Sequence, residues 1–543
     1  MDMAAQWLWH AGEALLKAAL NPFSFLAWLL VALLCRRRTE LERKLFAVRL
    51  HGSPGEWLRA AGFGLAGALA ISLAAAGIGL NLTPAAVWWT WAAVLVLLMF
   101  RIRLANLPAA AACVGVLQLA VRAVREWLPA AGSVGSAGSG GLRPQTIPAA
   151  LADSLLAIDL ASLWMLAALT LLIQAALVRL TAARGAMPLV VPGKRGKPIG
   201  AYQLHGLWLM PAVLAVPAPA AAGAAAGAEG AAGAAVDLGG LAADAASSGG
   251  SVPWWQSWLL AQPDAGAQAA DAAGLAAWWP WPALFDGAWE HGIALLAFPV
   301  LAGFADMTVS DLPDRRVRRL AWRHAAWAAA FAAASVLSQL WPVLLPAAAA
   351  AVLLVQEAWQ LAAERGERRQ SPRFVQPGRG LKVLDVMPAG PAAEMGIRRG
   401  ETVLRANGQA VASPDGLHAA LRANPAFCRL EVADADGESR FVQRPLYSGE
   451  HHLLGLVPCP DDRVPAVAGW RPLTLGQLVR VRVRKLVPPW AGPASSAGDA
   501  PAGEASSPEA DVPPDGMSPP GPASPATGRS ETAASKAAEE GRD

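Results

Sequence analysis

GLKVLDVMPAGPAAEMGIRRGETVLRANGQAV, residues 380–411, is the stretch that decides the fold of the C-terminal part of this 543-residue chain. Apolar residues alternate from Leu381 onward, which predicts a strand with one buried face. A short helix is expected over 392–395, because Gly396 follows it and glycine readily adopts the left-handed conformation that ends a helix. The pair Asn407–Gly408 predicts a tight hairpin, whose central residues need positive φ. The stretch therefore predicts a small α+β domain.

The residues downstream complete the same domain. Ser413 followed by Pro414 predicts the N-terminus of a helix. Strands are expected over 428–432 and 439–445, joined by the Asp-Gly turn at 436–437. This arrangement resembles the PDZ family, and the resemblance implies a domain that binds extended peptide ends by adding them to a sheet edge. We therefore expect a binding domain.

The resemblance places the PDZ domain over 371–462 and implies a circularly permuted strand order. PDZ domains hold a terminal carboxylate in an apolar-Gly-apolar loop, and no such loop precedes the strand at Leu381. The segment LLGL at 453–456 fits this loop and lies at the end of the domain, as in the permuted PDZ domains of bacterial membrane proteins. We predict a peptide-binding groove between the strand at 456–459 and the helix that follows Ser413. The predicted groove residues are Leu453, Leu454, Gly455, Leu456, Leu417 and Leu421.

Two alternatives to this groove stay open. The loop segment also fits a buried closing strand, and the two helix leucines also fit plain core packing.

Most of the remaining chain has the composition of a membrane protein. Hydrophobic residues make up 54% of the chain, charged residues 16%, and the mean hydropathy is +0.34. Soluble globular domains average about 25% charged residues. The first apolar run is followed by Arg36-Arg37-Arg38 and not by small residues, so we expect no cleavable signal peptide. The expected fold class is a multi-span α-helical membrane domain over 1–365, followed by the small α+β PDZ domain.

Apolar segments of spanning length recur along this membrane region, since a spanning helix needs about 20 mostly apolar residues. The candidates lie near 16–35, 59–80, 85–100, 104–121, 154–178, 201–217, 283–304, 324–341 and 343–360. Pro22 predicts a kink in the first segment, the sixth is short, and the last two share a hinge at Trp341–Pro342. We therefore expect seven to nine spans.

Basic residues indicate the orientation, because Lys and Arg concentrate in cytoplasmic loops. With nine spans and an external N-terminus, the basic clusters at 36–49, 101–103, 179–197, 315–323 and 365–373 all fall inside. The PDZ domain is then predicted in the cytoplasm of a multi-pass plasma-membrane protein.

The segment between the third and fourth of these clusters contains no Lys or Arg and is expected outside. Its Ala/Gly-rich part at about 218–280 predicts a low-complexity loop.

Three further segments have distinctive compositions. Residues 36–57 predict a membrane-flanking helix with snorkelling arginines, or a docking surface for a cytoplasmic partner. Residues 463–490 form a basic extension, and Val and Arg alternate over 478–487, which predicts an edge strand or a patch drawn to anionic lipid. Residues 491–543 are acidic and rich in Pro, Ser and Ala, which predicts disorder.

The sequence contains no recognisable catalytic constellation. None of the eight histidines is followed by Glu, so the HExxH zinc motif is absent. The GxSG and GxGD signatures of intramembrane proteases are also missing, and the four cysteines show no metal-ligand spacing. Asp159 lies inside a predicted span, where it is either a functional residue or a hydrated interfacial carboxylate. We expect no enzyme activity, no metal, no cofactor and no nucleic-acid partner.

The whole arrangement resembles the MinJ family of division-site topology proteins, which combine a polytopic membrane region with a cytoplasmic PDZ domain. The resemblance is carried by Asn21-Pro22-Phe23, by ERKLFAVRL at 42–50, by the stretch at 380–411 and by LLGLVP at 453–458. It implies a membrane-anchored adaptor that places the division site at the septum by linking DivIVA to MinD.

The expected partners are therefore proteins that enter the PDZ groove, together with membrane lipid. The sequence does not specify an oligomeric state. The alternative function is a regulatory or accessory subunit of a membrane protease or of a secretion or transport machine, and an unrecognised enzyme is a third.

Overall fold

The computed structural model describes the chain from residue 3 to residue 461, with gaps. The described residues are 3–46, 53–101, 104–127, 147–193, 196–217, 260–261, 293–341, 344–388, 390–434, 437–447 and 454–461. The predicted basic extension (463–490), the predicted disordered tail (491–543) and all of the predicted loop at 218–280 except 260–261 lie outside them.

We call the described part of the chain before residue 370 the membrane module. Helices dominate it. They are α1 (Met3–Leu20), α2 (Pro22–Phe46), α3 (Ser53–Ile78), α4 (Pro84–Phe100), α5 (Leu107–Trp127), α6 (Ile147–Leu156), α7 (Leu160–Thr181), α8 (Pro313–Leu337) and α9 (Leu344–Arg369). Four described segments are long and apolar enough to cross a membrane: Leu58–Ile78, Leu107–Arg125, Leu160–Thr181 and Leu344–Arg369. The kink predicted at Pro22 is present, because α1 and α2 form a fifth candidate that is bent by 55° at this point.

Two of the predicted spans are strands rather than helices. The membrane module contains a sheet of β1 (Met187–Pro192), β2 (Pro198–Pro217), β3 (Leu260–Ala261) and β4 (Ile293–Thr308), in the order β1-β2-β4-β3. β2 and β4 form an antiparallel ribbon from Tyr202 opposite Thr308 to Pro217 opposite Ile293. The helical spans predicted at 201–217 and 283–304 are therefore wrong, the latter for its described residues. Among the described residues, four or five segments qualify as spanning helices. The total of seven to nine for the whole chain stays a prediction.

Proline and burial explain why these segments are strands. Pro211 and Pro299 lie opposite each other in the middle of the ribbon, and an interior proline destabilises a helix by about 3 kcal/mol. Nearly all residues of the ribbon are buried or half-buried, and non-helical backbone at membrane depth is tolerated where protein covers it. Helix α3 approaches the ribbon so closely that a Cβ atom on Gly64 would lie 2.2 Å from the carbonyl oxygen of Leu209. Only glycine fits there.

The C-terminal domain has the α+β architecture predicted from the sequence. Its elements are β5 (Leu381–Val386), α10 (Pro391–Glu394), β6 (Thr402–Ala406), β7 (Gln409–Ala410), α11 (Pro414–Ala423), β8 (Phe427–Ala433), β9 (Ser439–Pro445) and β10 (Leu456–Pro458). The sheet order is β10-β5-β6-β8-β9, with β7 paired to β6. The last strand of the domain thus pairs with the first, which is the permuted order expected from the sequence.

Local backbone conformations in this domain also agree with the sequence. Gly396 ends the short helix with φ of 73°, and the hairpin residues Asn407 and Gly408 have φ of 49° and 82°. The hydroxyl of Ser413 accepts a hydrogen bond from the backbone N–H of Gly416 at 3.1 Å, as an N-cap does. These turns set the strand order on which the candidate site depends.

Candidate peptide-binding site

The loop before β10 is held in a left-handed conformation. Leu454 has φ of 46° and Gly455 has φ of 73°. The carbonyl of Leu454 accepts a hydrogen bond from Ala392 N at 2.8 Å, and the carbonyl of Gly455 accepts one from Met387 N at 2.7 Å. A Cβ on Gly455 would lie 3.2 Å from the Met387 Cβ and 3.4 Å from the Gly390 Cα. Glycine is therefore favoured at this position by both its conformation and its space.

Strand β10 forms one edge of the PDZ sheet. The Gly455 carbonyl accepts a hydrogen bond from Met387 N at 2.7 Å, and Cys459 N donates one to the Lys382 carbonyl at 2.8 Å. The backbone groups of every second residue, 455, 457 and 459, therefore point toward β5. Leu456 and Pro458 then direct their backbone groups to the other side, where no further strand pairs among the described residues. Since proline has no N–H, Leu456 is the residue that offers both a donor and an acceptor. This edge suits the addition of a short extended peptide.

The structure brings together four of the six predicted groove residues. Leu417 and Leu421 on α11 lie in one hydrophobic cluster with Leu454 and Leu456. These four side chains are only 1–5% exposed, so they fill the space between α11 and β10 themselves. Leu453 lies outside the described residues. The groove therefore stays a prediction, in which a peptide would pair with the β10 edge and rest on these leucines.

The opposite face of β10 contacts the membrane module, which the sequence did not indicate. Val457 and Cys459 belong to the large hydrophobic cluster of that module, together with Phe374, Leu384 and Tyr202. Burial raises the pKa of the Cys459 thiol to about 12, although Lys382 opposes the shift. The thiol is thus protonated at neutral pH and serves as an apolar packing group.

A half-buried arginine joins the PDZ domain to the membrane module. The Nε of Arg399 donates to Asp385 Oδ1 at 2.6 Å, and its Nη1 donates to the Ala183 carbonyl, just after α7, at 3.0 Å. The guanidinium carbon lies 5.6 Å from the centre of the Tyr202 ring, and the Tyr202 hydroxyl donates to the carbonyl of Leu384. Burial disfavours the charge, but the neighbouring groups, led by the Asp385 carboxylate, together outweigh burial and raise the pKa of Arg399 above its ordinary value. We refer to Phe374, Leu384, Arg399, Val457 and Cys459 as the docking face.

Backbone hydrogen bonds reinforce this contact. Gly200 N donates to the Phe374 carbonyl at 2.8 Å, and Arg373 N donates to the Val309 carbonyl at 2.9 Å. A Cβ on Gly200 would lie 2.7 Å from Leu384 Cδ1 and 2.8 Å from Phe374 Cβ. The absence of a side chain at Gly200 therefore permits the close approach of the two parts.

A carboxylate fixes the end of α9, from which the chain enters the PDZ domain. Glu367 Oε1 accepts hydrogen bonds from Thr308 Oγ1 and Val309 N, both at 2.8 Å, and from Ser310 N at 3.0 Å. Glu367 Oε2 contacts Arg316 Nη1 at 3.2 Å. The end of α9 is thus fastened to the turn between β4 and α8.

The part of the chain that the structure describes was predicted to hold neither a metal site nor a catalytic site. No group of three His, Cys, Asp or Glu side chains there could hold a metal ion. Asp159 is the N-cap of α7, where its carboxylate accepts from Ala161 N at 3.0 Å and Ser162 N at 3.1 Å. Its position is explained by capping, so we assign it no catalytic role.

The residues that join the PDZ domain to the membrane module were missed because they come from distant parts of the sequence. Tyr202 gave one usable signal: it is one of only two tyrosines, and it lies in an apolar run, where a buried hydroxyl needs a partner. Arg399 gave none, since arginines are frequent beside the predicted turn.

Comparison with known proteins agrees with this architecture. The PDZ domain family model matches residues 382–433. The cell division topological determinant MinJ of Bacillus subtilis (strain 168) is 31% identical over 186 residues, which are 34% of this chain and 46% of that protein. The probable cell division topological determinant MinJ of Lacticaseibacillus paracasei is 36% identical over 83 residues, which are 15% of this chain and 23% of that protein. The chain thus spans less than half the length of these curated relatives. Over the matched regions the chain is similar to these MinJ proteins, and its C-terminal domain is a PDZ domain.

Proposed function

We propose that this protein is a membrane-anchored PDZ adaptor that recruits cytoplasmic partners during placement of the cell-division site. The observation that carries the proposal is the β10 edge, which follows the left-handed Leu454–Gly455 loop and lies beside the leucines of α11. The similarity to proteins named as cell division topological determinants supports the cellular role.

In this mechanism, a partner's chain end or internal strand pairs with Leu456 at the β10 edge. Main-chain hydrogen bonds provide affinity, and pockets for alternate side chains provide specificity. The spanning helices confine the adaptor to the membrane surface, which raises the effective concentration of the groove near membrane-bound partners. Weak groove binding is then sufficient for recruitment.

The arrangement of basic residues supports a cytoplasmic PDZ domain. The ribbon register places Tyr202 opposite Thr308, so the clusters at 179–197 and 315–323 flank the same end of the ribbon. The PDZ domain contacts this end through Tyr202 and Val309. Because Lys and Arg favour the cytoplasmic side, we place this end and the PDZ domain in the cytoplasm.

The finer role that we propose is a link between DivIVA and MinD. This part of the proposal rests on the resemblance to the MinJ family, and no residue of the groove selects between the two partners. Pull-down of purified DivIVA and of purified MinD by the full chain tests each partner separately.

Localisation tests the cellular role. A fluorescently tagged full chain should concentrate at septa and poles, and deletion of residues 371–490 should abolish this enrichment. Uniform membrane fluorescence, with unchanged cell length after gene deletion, would instead favour an accessory subunit of another membrane machine.

A pair of glycine substitutions tests the groove. Gly455→Val forces a side chain into the left-handed loop beside Met387, whereas Gly437→Val imposes the same kind of strain at φ of 91°, in open space after β8. We expect Gly455→Val to abolish partner pull-down and Gly437→Val to retain it. Equal pull-down by both folded variants would show that the peptide binds elsewhere.

A further inference from the structure

A cavity of about 180 Å³ lies in the membrane module, next to the PDZ domain. Its walls come from α2, from the first turns of α3, from the C-terminal end of α7 and from β2. None of these walls belongs to the candidate peptide groove, so the cavity is a separate site and its assignment does not depend on the proposed function.

The charged groups of the cavity are cationic. Arg38, Arg59 and Arg184 line it, and no Asp or Glu does. Arg38 is nearly buried and bonds through Nε to Glu42 at 3.2 Å, whereas Arg59 and Arg184 are exposed at its mouth. Even with the Glu42 carboxylate included, guanidinium groups outnumber acids here. The site therefore favours an anion, and the planar guanidinium groups suit the oxygens of a phosphate.

The remaining walls are apolar. Val31 and Leu34 of α2, Phe63 of α3, and Leu207 and Trp208 of β2 line the same cavity. A free phosphate ion uses none of these surfaces. A molecule that joins a phosphate to a hydrocarbon chain uses both the guanidinium groups and the apolar walls.

The position of the cavity matches the level of lipid headgroups. On α2 the apolar run gives way to charge at Arg36, directly after the cavity residue Cys35 and two positions before the cavity residue Arg38. Arg184 is next to Ala183, whose carbonyl accepts the hydrogen bond from Arg399 of the PDZ domain. The cavity thus lies at the basic end of the membrane module. Basic pockets between spanning helices at such an end bind anionic lipid headgroups.

We propose that this cavity binds one anionic phospholipid. The phosphate lies between Arg59 and Arg184, with Arg38 behind it, and one acyl chain follows the wall formed by Phe63 and Leu207. Since Arg184 adjoins the docking contact at Ala183, the bound lipid also supports the surface on which the PDZ domain rests.

Native mass spectrometry of the full chain in neutral detergent tests this site. Phosphatidylglycerol and phosphatidylcholine with identical acyl chains are titrated separately. We expect one tightly bound phosphatidylglycerol and much weaker phosphatidylcholine binding. The Arg59→Gln/Arg184→Gln variant should bind phosphatidylglycerol about 30-fold more weakly, because each cation near the membrane surface contributes about 1 kcal/mol to binding and two are removed. The Arg59→Lys/Arg184→Lys variant keeps the charge and should regain most of the affinity.

The matched control is Arg36→Gln/Arg179→Gln. It removes the same charge from exposed positions of α2 and α7 that do not line the cavity, and it should change affinity less than threefold. Equal loss in both double variants would overturn the proposal in favour of general surface attraction. Equal binding of the two lipids by the unmodified chain would overturn it independently of any variant, as would full competition by inorganic phosphate. Melting temperatures confirm that the compared variants are folded.

Discussion

The two faces of the PDZ sheet are closed by different partners. On β5, Leu381 and Val383 pack into the domain's own core with α11, whereas Leu384 packs into the cluster of the membrane module. On β10, Leu456 packs into the domain's own core and Val457 packs into the cluster of the membrane module. Successive side chains of a strand point to opposite faces, so one face stabilises the domain and the other attaches it. The two contributions can therefore be separated by mutation.

The second face is covered only in part. Strands β8 and β9, at the far edge, leave Phe441 62% exposed, whereas the docking-face residues Leu384 on β5 and Val457 on β10 are buried. Docking is thus confined to the half of the sheet that also carries the candidate peptide edge. Strand β10 would therefore contact both the bound peptide, along its edge, and the membrane module, through one face.

The largest effect is expected in the domain's own core. Leu430 on β8 is fully buried in the cluster with α11, so Leu430→Ala should lower the free energy of unfolding of the PDZ domain by about 2–5 kcal/mol. Pulse proteolysis of the full chain in urea measures this through cleavage within 380–447. An unchanged urea midpoint for this region would mean that the core assignment is wrong.

A smaller and different effect is expected at the docking face. Arg399→Ala removes the hydrogen bonds to Asp385 and Ala183 and should weaken docking by about 2 kcal/mol, while the domain stays folded. Hydrogen exchange should accelerate at the amides of Gly200 and Arg373, which donate across the contact.

The control for this change is Arg405→Ala. Arg405 is largely exposed and lies 3.8 Å from Glu431, and such surface pairs contribute under about 1 kcal/mol. Accelerated exchange in both variants would indicate loss of charge rather than loss of docking.

The alkylation rates of two cysteines measure the exposure of the two faces in one experiment. Burial raises the pKa of Cys459 to about 12 and that of Cys428 to about 11, so both thiols should resist alkylation at pH 8. Cys459 is buried by docking and Cys428 by the domain core. Arg399→Ala should therefore accelerate alkylation of Cys459 about 30-fold, which corresponds to the 2 kcal/mol above, and should leave Cys428 unchanged. Mass spectrometry of the labelled peptides distinguishes the sites.

The pH dependence of docking follows from the same shift. A raised thiol pKa means that the docked form holds its proton more tightly than the undocked form, whose pKa is near the ordinary value of 9.0. The contribution of Cys459 is therefore complete below pH 9 and is lost progressively between pH 9 and about 12. Cys459→Ala should remove this part of the pH dependence, and its persistence in that variant would assign it to another group.

The smallest effect is expected on the uncovered half of the sheet. Phe441 is exposed and contacts Arg429, whose guanidinium carbon lies 4.8 Å from the ring centre. Phe441→Ala should lower the free energy of unfolding by less than about 1 kcal/mol and leave docking unchanged. A larger loss, measured by the same pulse proteolysis, would show that this face is covered by another part of the chain.

The parts of the fold that could be predicted are those that depend on only a few neighbouring residues. Gly396, the hairpin at Asn407–Gly408 and the cap at Ser413 each follow from one local conformational requirement, and the strand at 427–433 alternates apolar and polar residues from Cys428 to Val432. The β2–β4 ribbon could not be assigned in this way, because a strand buried on both faces has the same continuous apolar run as a buried helix. Only Pro211 and Pro299 distinguished them.

Only the proximity of the candidate site's residues could be predicted. Four of the five leucines predicted for the groove lie in one hydrophobic cluster, and the carboxylate loop indicated by the segment around Gly455 stays a prediction. The docking contact was not predictable, since Tyr202 and Arg399 are nearly two hundred positions apart and each finds its partners only in the folded chain. The positive φ of Leu454 was equally hidden, because leucine carries no preference for it.

The connection between α9 and the PDZ domain is very short. Helix α9 ends at Arg369, and Phe374 already bonds to Gly200 of the ribbon. The intervening residues 370–373 can extend to about 14 Å at most. While Phe374 stays bonded to Gly200, release of the other docking-face residues therefore cannot move the domain far from the membrane module. Such a release can only rotate the domain. It would therefore change the direction of the peptide edge, from along the membrane surface to away from it.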